Sequence, residues 1–209
     1  PADTTETSGF VKRMIDGGTI ALKTPLISST LILVSLNSFF VRGILEIQPA
    51  IVGQIMGGKS YDLAIVTAAA GLGSLLASGW IGLGKLEQSH IQKYLWPMLV
   101  TGIVASALLY LVVDLTPVSL IFIVTGFTAT IVGIGAQTLI QLEVQESYRA
   151  RVMTWWSTIS FGSLFLGGTM AGFLGDIVGM NHAILYMMLA AGTLAFSVLP
   201  RIKALTGSN

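Results

Sequence analysis

Long apolar runs separated by short polar segments make up the sequence from about residue 26 to residue 200. Each run holds roughly 20 residues, the length at which an α-helix crosses the hydrocarbon core of a bilayer. The runs are about twice as long as the strands of a membrane barrel, and they lack the alternation of such strands. The pattern therefore predicts an all-α membrane protein with six transmembrane helices. The predicted spans are roughly residues 26–48, 62–84, 95–113, 117–141, 153–175 and 183–200.

The segments between the predicted spans are short and polar. None of them is long enough to form a separate soluble domain, so residues 25–200 are predicted to form one transmembrane domain. The connecting segments are GGKS (57–60), KLEQSHIQK (85–93), DLTP (114–117), QESYRAR (145–151) and DIVGMNH (176–182).

Residues 1–24 are expected to be a cytoplasmic linker and residues 201–209 a cytoplasmic tail. Within the linker, GFVKRMIDGGTIALKT (9–24) places Phe10 and Met14 opposite charged residues, a pattern typical of an interfacial helix. The glycine pair at 17–18 favours an unstructured lead-in instead. The first residues lack a signal-peptide pattern, and the sequence does not begin with Met, so we expect a trimmed chain or a fragment.

Composition supports the membrane interpretation. Of the 209 residues, 53% are hydrophobic and only 10% are charged, whereas soluble domains carry about 25% charged residues. The net charge of +1 leaves no basic face for nucleic acid, which is not expected as a partner. The absence of cysteine excludes disulfides, thiolate metal sites and cysteine nucleophiles.

The basic residues are distributed unevenly between the two predicted sides of the membrane. Of the eleven, one side holds only Lys59, and Arg42 lies within a span. By the positive-inside rule, the richer side, which also holds both termini, is predicted to be cytoplasmic. Its nine basic residues are Lys12, Arg13, Lys23, Lys85, Lys93, Arg149, Arg151, Arg201 and Lys203.

An internal similarity links the second and fifth spans. GSLLASG (73–79) is similar to GSLFLGG (162–168), and each lies in the middle helix of a three-helix unit. Since three is odd, the second unit must be inverted relative to the first. The similarity therefore predicts two inverted three-helix repeats, a construction common among secondary transporters.

Two longer stretches carry a family resemblance. VRGILEIQPAIVG (41–53) and QESYRARVMTWWSTISFGSLFLGGTMAGFLGDIVG (145–179) resemble the seventh helix and the tenth-to-eleventh region of major facilitator superfamily transporters. The similarity extends over essentially the whole chain as the C-terminal half of such a transporter. It is nearest to exporters of enterobactin-type siderophores and macrolides. Gln145 and Ala150 depart from the family pattern. The residues that fit it are Arg149, Arg151, Val152, Met153, Gly172, Leu174 and Asp176.

The resemblance implies half of a major facilitator fold in a bacterial-type cytoplasmic (inner) membrane. It implies secondary active transport of a small molecule by alternating access. The expected form is proton-coupled export, in which an antiporter drives efflux of the substrate. The implied partners are the lipid bilayer, the small-molecule substrate, and either an N-terminal six-helix half or a second copy of this chain. No cofactor and no metal are expected.

Arg42 and Glu46 are the charged residues of the first span. In a helix they lie about 40° apart on one face, on a polar stripe that also contains Ser38. A charge at the bilayer centre costs at least about 2.5–3.5 kcal/mol, so this stripe should face a protein interior or an aqueous cavity. The resemblance puts this helix on the translocation pathway, and protonation of Glu46 that releases Arg42 is a hypothetical antiport switch. The alternative is a structural ion pair near the outer mouth.

Other polar residues extend the candidate site. Gln137 and Gln141 share one face of the fourth span, where amides either contact a substrate or bond a neighbouring helix. Trp155 and Trp156 follow the basic loop and could anchor the helix at the interface or stack on an aromatic substrate. A cytoplasmic gate, or alternatively simple positive-inside anchoring, is predicted for Glu143, Glu146, Arg149 and Arg151.

An enzyme is the competing functional class. A serine hydrolase needs a base within hydrogen-bond reach of its nucleophile. The two histidines, His90 and His182, lie in loops predicted on opposite sides of the membrane, away from mid-span serines such as Ser74 and Ser163. We therefore expect no enzymatic activity. A channel or a structural membrane subunit without coupled transport remains the alternative to a carrier.

Overall fold

The computed structural model describes residues 17–19, 21–83 and 91–206. Six long helices make up most of this part of the chain. Each of the six is long and apolar enough to cross a membrane, which confirms the all-α prediction and indicates an integral membrane protein. The helices are α1 (Pro25–Glu46), α2 (Ser60–Gly82), α3 (Ile91–Leu111), α4 (Leu115–Glu143), α5 (Glu146–Val178) and α6 (Met180–Thr206). The last turn of α3, Leu109–Leu111, is a 3₁₀ turn.

Several helices extend beyond the predicted spans. Most of the polar stretch 145–151 belongs to α5, and α6 continues through Thr206 instead of ending at residue 200. Between α5 and α6 a single residue, Gly179, turns the chain with a φ of 84°. Hydropathy marks where a helix leaves the hydrocarbon, whereas backbone hydrogen bonding continues until a residue breaks it. Polar residues at the ends of a membrane helix can therefore remain helical.

Helix α1 has an irregular core. After the α-helical turns of Pro25–Leu36, the stretch Asn37–Arg42 is π-helical, and the Gly43 N–H bonds the Ser38 carbonyl five residues earlier. Such wide turns inside α-helices are rare and occur frequently at functional sites. After a break at Ile47 the chain continues through two short helical pieces, Gln48–Ala50 and Ile51–Ile55.

The helices pack with α1 and α4 in the middle. Helix α2 packs on α4, α5 packs on α1, and α3 and α6 pack on each other behind them. Helix α3 also contacts α4, and α6 also contacts α5 and α1. In the innermost helix, α1, 72% of an 18-residue apolar stretch is buried, whereas the corresponding shares are 28% in α2 and 17% in α5. Helices α2 and α5 therefore expose most of their surface, including Leu75 and Phe165, which is consistent with contact to lipid.

Glycines permit the two closest helix crossings. A Cβ on Gly73 of α2 would overlap the carbonyl of Ile123 in α4, and one on Gly126 of α4 would overlap the carbonyl of Ala70. A Cβ on Gly167 of α5 would likewise overlap the Phe39 carbonyl of α1. Small residues allow such close backbone approach in membranes, where apolar burial does not drive helix association.

The two similar glycine-rich stretches differ in their surroundings. Gly73 lies in the α2–α4 crossing, but Gly162, its counterpart in the sequence comparison, has no atom of another residue near an added Cβ. The glycine of α5 that serves a crossing is Gly167, five residues further on. The local sequence similarity therefore does not match the positions at which the helices cross.

The lead-in approaches the beginning of α5. An added Cβ on Gly17 would meet Arg151, and one on Gly18 would meet Trp155. The backbone of residues 17–19 is helical, so the glycine pair does not break the helix at this point. Of the predicted interfacial segment 9–24, residues 21–23 are also helical, and residues 9–16 and 20 lie outside the described residues. The end of the predicted tail, residues 207–209, lies outside them as well.

Candidate functional site

An open cleft lies between α1, α2, α4 and α5. Its volume is about 360 Å³, within the usual range for small-molecule sites. Three of the five predicted pathway residues, Arg42, Glu46 and Gln137, share its wall. The complete lining is Arg42, Leu45, Glu46, Ser74, Ala129, Thr130, Gly133, Ile134, Gln137, Trp156 and Phe161.

Arg42 is held in place by α5. It is partly buried at the end of the π-helical stretch, and its Nη1 donates to the Oγ of Ser160 at 3.3 Å. The same Ser160 Oγ lies 3.2 Å from the Oγ of Ser38. Both serines are almost completely buried, with 2% and 1% of their surfaces exposed. Ser38, predicted to line the pathway, therefore lies between α1 and α5 behind the cleft wall.

Glu46 is exposed at one end of the cleft. It also lines a second, shallower groove of about 440 Å³ that runs along α5 past Phe161, Phe165 and Thr169. The Cβ of Glu46 would lie 3.4 Å from a Cβ added to Gly168, so a small residue there leaves room for this carboxylate. Glu46 thus stands where the two depressions meet, with water or solute access from both.

Helix α4 contributes a mixed polar wall. Gln137 lines the cleft together with Thr130 and Gly133, the residues that the helical spacing places on its face. Gln141, one turn further, is partly exposed and does not belong to the lining. An added Cβ at Gly133 would meet no atom within 4 Å, so this glycine widens the cleft.

Aromatic side chains close one side of the cleft. Trp156 and Phe161 both come from α5, and Phe161 is 60% exposed. Within the described chain, the buried indole N–H of Trp156 has no hydrogen-bond partner. A flat apolar wall beside a guanidinium and an amide suits a solute that combines an aromatic or apolar group with polar groups.

Sequence reasoning missed Ser160 and Phe161. Both lie in a stretch of α5 where serine, glycine and phenylalanine recur every few residues, so no local signal distinguishes them from Ser157 or Ser163. Only the packing of α5 on α1 brings Ser160 to Arg42.

The four predicted gate residues lie around the tight turn from α4 to α5. Glu143, Glu146 and Arg149 are exposed, and Arg151 lies over the ring of Tyr148, 5.4 Å from its centroid. The gate stays a prediction, because a solvated charge cluster has the same appearance.

Asn37 and His182 have structural surroundings. The Nδ2 of Asn37 donates to the carbonyl of Ala129 in α4 at 3.3 Å, which ties the two central helices together. His182 contacts the rings of Tyr110 and Tyr186. Among the residues that the structure describes, no group of three or more His, Asp or Glu side chains could hold a metal ion.

Comparison with known proteins identifies no family. No protein-family model matches the chain, and no curated protein matches its sequence significantly.

Proposed function

We propose that this chain supplies one half of a secondary transporter that moves a small molecule across the membrane by alternating access. The observation that carries the proposal is the cleft itself, in which a guanidinium, a carboxylate and an amide from α1 and α4 meet an aromatic wall from α5. A cleft of this composition is open to solute and lies within helices long enough to span a bilayer.

The energetics favour a wet cleft. A charge in the bilayer centre costs at least about 2.5–3.5 kcal/mol unless water or a partner solvates it. Ser160 supplies one hydrogen bond to Arg42, and the remaining guanidinium donors need water, a solute or a second protein surface. A second six-helix unit over the cleft would enclose these groups in an aqueous passage, as alternating access between two halves requires.

Helix packing supports the inverted-repeat part of the proposal. If α1–α3 and α4–α6 are repeats, α1 corresponds to α4 and α2 corresponds to α5. The contact between α2 and α4 should then have a counterpart between α5 and α1, and both contacts are present. Both also have a glycine at the crossing, Gly73 in one and Gly167 in the other. Two inverted three-helix units, as in a major facilitator half, would produce this pair of helix contacts, with the crossing glycine of α5 displaced by five residues from the position that aligns with Gly73.

The finer parts of the proposal rest on the sequence. The distribution of Lys and Arg favours cytoplasmic termini, and the family resemblance favours proton-coupled export from a bacterial-type inner membrane. Glu46 is the proposed proton carrier, because it is the acidic residue of the cleft and is accessible from both the cleft and the adjoining groove along α5.

The test uses the longest gene product that contains this chain, reconstituted in liposomes with an imposed pH gradient and an internal pH-sensitive dye. A panel of small amphipathic compounds is added, and proton movement is recorded against concentration. A carrier gives saturable, gradient-dependent flux, whereas a channel gives flux that does not saturate. The isolated 209-residue chain as a monomer is expected to give none.

A matched pair of glycine variants links the flux to the cleft. Gly133→Phe is expected to abolish it, because its side chain would project into the cleft, whereas an added Cβ on Gly79 of α2 meets no atom within 4 Å and Gly79→Phe should retain it. Equal flux through both variants would refute the assignment of the cleft as the pathway. Absence of flux from the parent protein with every compound would favour a structural subunit.

A further inference from the structure

A separate depression lies between α3 and α6. It has a volume of about 740 Å³ and is lined almost entirely by hydrocarbon side chains. Residues that form its walls include Val104, Leu108 and Leu111 of α3, and Leu185, Leu189 and Phe196 of α6. None of the residues of the cleft belongs to it.

The groove matches one leaflet of a bilayer in length. Along α6 it extends from Leu185 to Phe196, and at about 1.5 Å per residue this distance is about 16 Å. The hydrocarbon core of a bilayer is about 30 Å thick, so one leaflet accounts for about 15 Å. Phe196 lines the end of the groove furthest along α6, and its ring meets that of Trp96 edge-on at 6.4 Å.

Polar rings stand at the other end of the groove. Tyr110, itself part of the lining, lies 5.8 Å from His182, and His182 lies 6.2 Å from Tyr186, measured between ring centroids. All three residues are exposed. They lie near the end of α3 and the start of α6, close to the ends of the two apolar spans. Tyrosine is enriched at this level in membrane helices, where its ring meets the lipid headgroups.

We propose that this groove is a specific phospholipid site. The acyl chains of one lipid lie between α3 and α6, and its phosphate accepts hydrogen bonds from the Tyr110 and Tyr186 hydroxyls and the His182 ring. Apolar contact alone confers little selectivity in a membrane, because the surrounding lipid is equally apolar. The headgroup contacts must therefore distinguish a bound lipid from the bulk. The inference requires membrane insertion but not transport.

The test is native mass spectrometry of the full chain released from micelles that contain one probe at a time. The probes are phosphatidylethanolamine, phosphatidylglycerol and diacylglycerol with identical acyl chains. We expect one retained molecule of either phospholipid and much weaker retention of diacylglycerol, which lacks the phosphate. Equal retention of diacylglycerol and the phospholipids would overturn the proposal.

Glycine variants probe the groove itself. Gly192 lines it, and an added Cβ there meets no atom within 4 Å, so Gly192→Phe should fill the groove and remove the retained phospholipid. Gly79→Phe is the matched control and should keep it. If Gly192→Phe fails to fold, Val104→Trp narrows the same groove from α3 at a position that is 54% exposed. The site is contradicted if both groove variants still retain the phospholipid, or if the control loses it to the same extent.

Headgroup variants complete the test. Tyr110→Phe and His182→Ala should each lower phospholipid retention about fivefold, the factor expected from one net hydrogen bond. Tyr61→Phe removes an exposed hydroxyl at the start of α2, outside the groove, and should have no effect. Unchanged retention in both headgroup variants would refute the phosphate contact.

Discussion

The α2–α4 crossing offers the most direct test of the packing. A Cβ on Gly73 would lie 2.9 Å from the carbonyl carbon of Ile123 and 2.9 Å from the amide nitrogen of Phe127. Ordinary contact begins at 3.4 Å, so the helices must separate by at least half an ångström. The opposing atoms are backbone atoms, which cannot move aside by a change of rotamer.

Gly71 provides the internal control for this crossing. It lies two residues away on the same helix, and an added Cβ there meets no atom within 4 Å. Both Gly73→Ala and Gly71→Ala gain about 1 kcal/mol of helix propensity, and this gain cancels when the two are compared. The remaining difference is the cost of overpacking, which is typically about 1–3 kcal/mol. We therefore expect Gly73→Ala to be less stable than Gly71→Ala by this amount.

The assay is reversible unfolding of the purified chain in detergent micelles, followed by tryptophan fluorescence. The double variant Gly73→Ala with Gly126→Ala should lose less stability than the sum of the two single losses, because both changes act on one crossing. Equal stabilities of Gly73→Ala and Gly71→Ala would refute the close approach of α2 and α4.

Two further predictions concern the cleft. Ser160→Ala should lower the free energy of unfolding by about 1–3 kcal/mol, because Arg42 and Ser38 both lose their buried partner; unfolding in micelles measures it, and an unchanged midpoint would contradict the contact. Glu46→Gln should abolish proton-coupled flux at all pH values in the liposome assay while leaving folding intact. Asp114→Asn removes an exposed acid that makes no capping hydrogen bond at the start of α4 and should keep that flux. Proton-driven flux that survives Glu46→Gln would exclude Glu46 as the carrier.

The sequence by itself determined the class of protein and the helix count. A run of about 20 apolar residues must satisfy its backbone hydrogen bonds internally once it lies in lipid, and a helix does so with local contacts alone. Composition and spacing along the chain therefore sufficed to locate the six spans and to single out Arg42 and Glu46 as costly residues in the first of them.

Tertiary structure decided which side chains meet. The contact between Arg42 and Ser160 joins residues 118 positions apart, and the π-helical stretch that ends at Arg42 packs against α5. Hydrophobic periodicity identifies the face of a residue only while the helix keeps one period. Ser38 lies in the π-helical stretch, where the period changes. The regular pattern therefore predicted Ser38 on the cleft, whereas the structure buries it against α5. Close approach of two backbones likewise selects Gly73 and Gly167 among many glycines, because such contacts depend on distant parts of the chain.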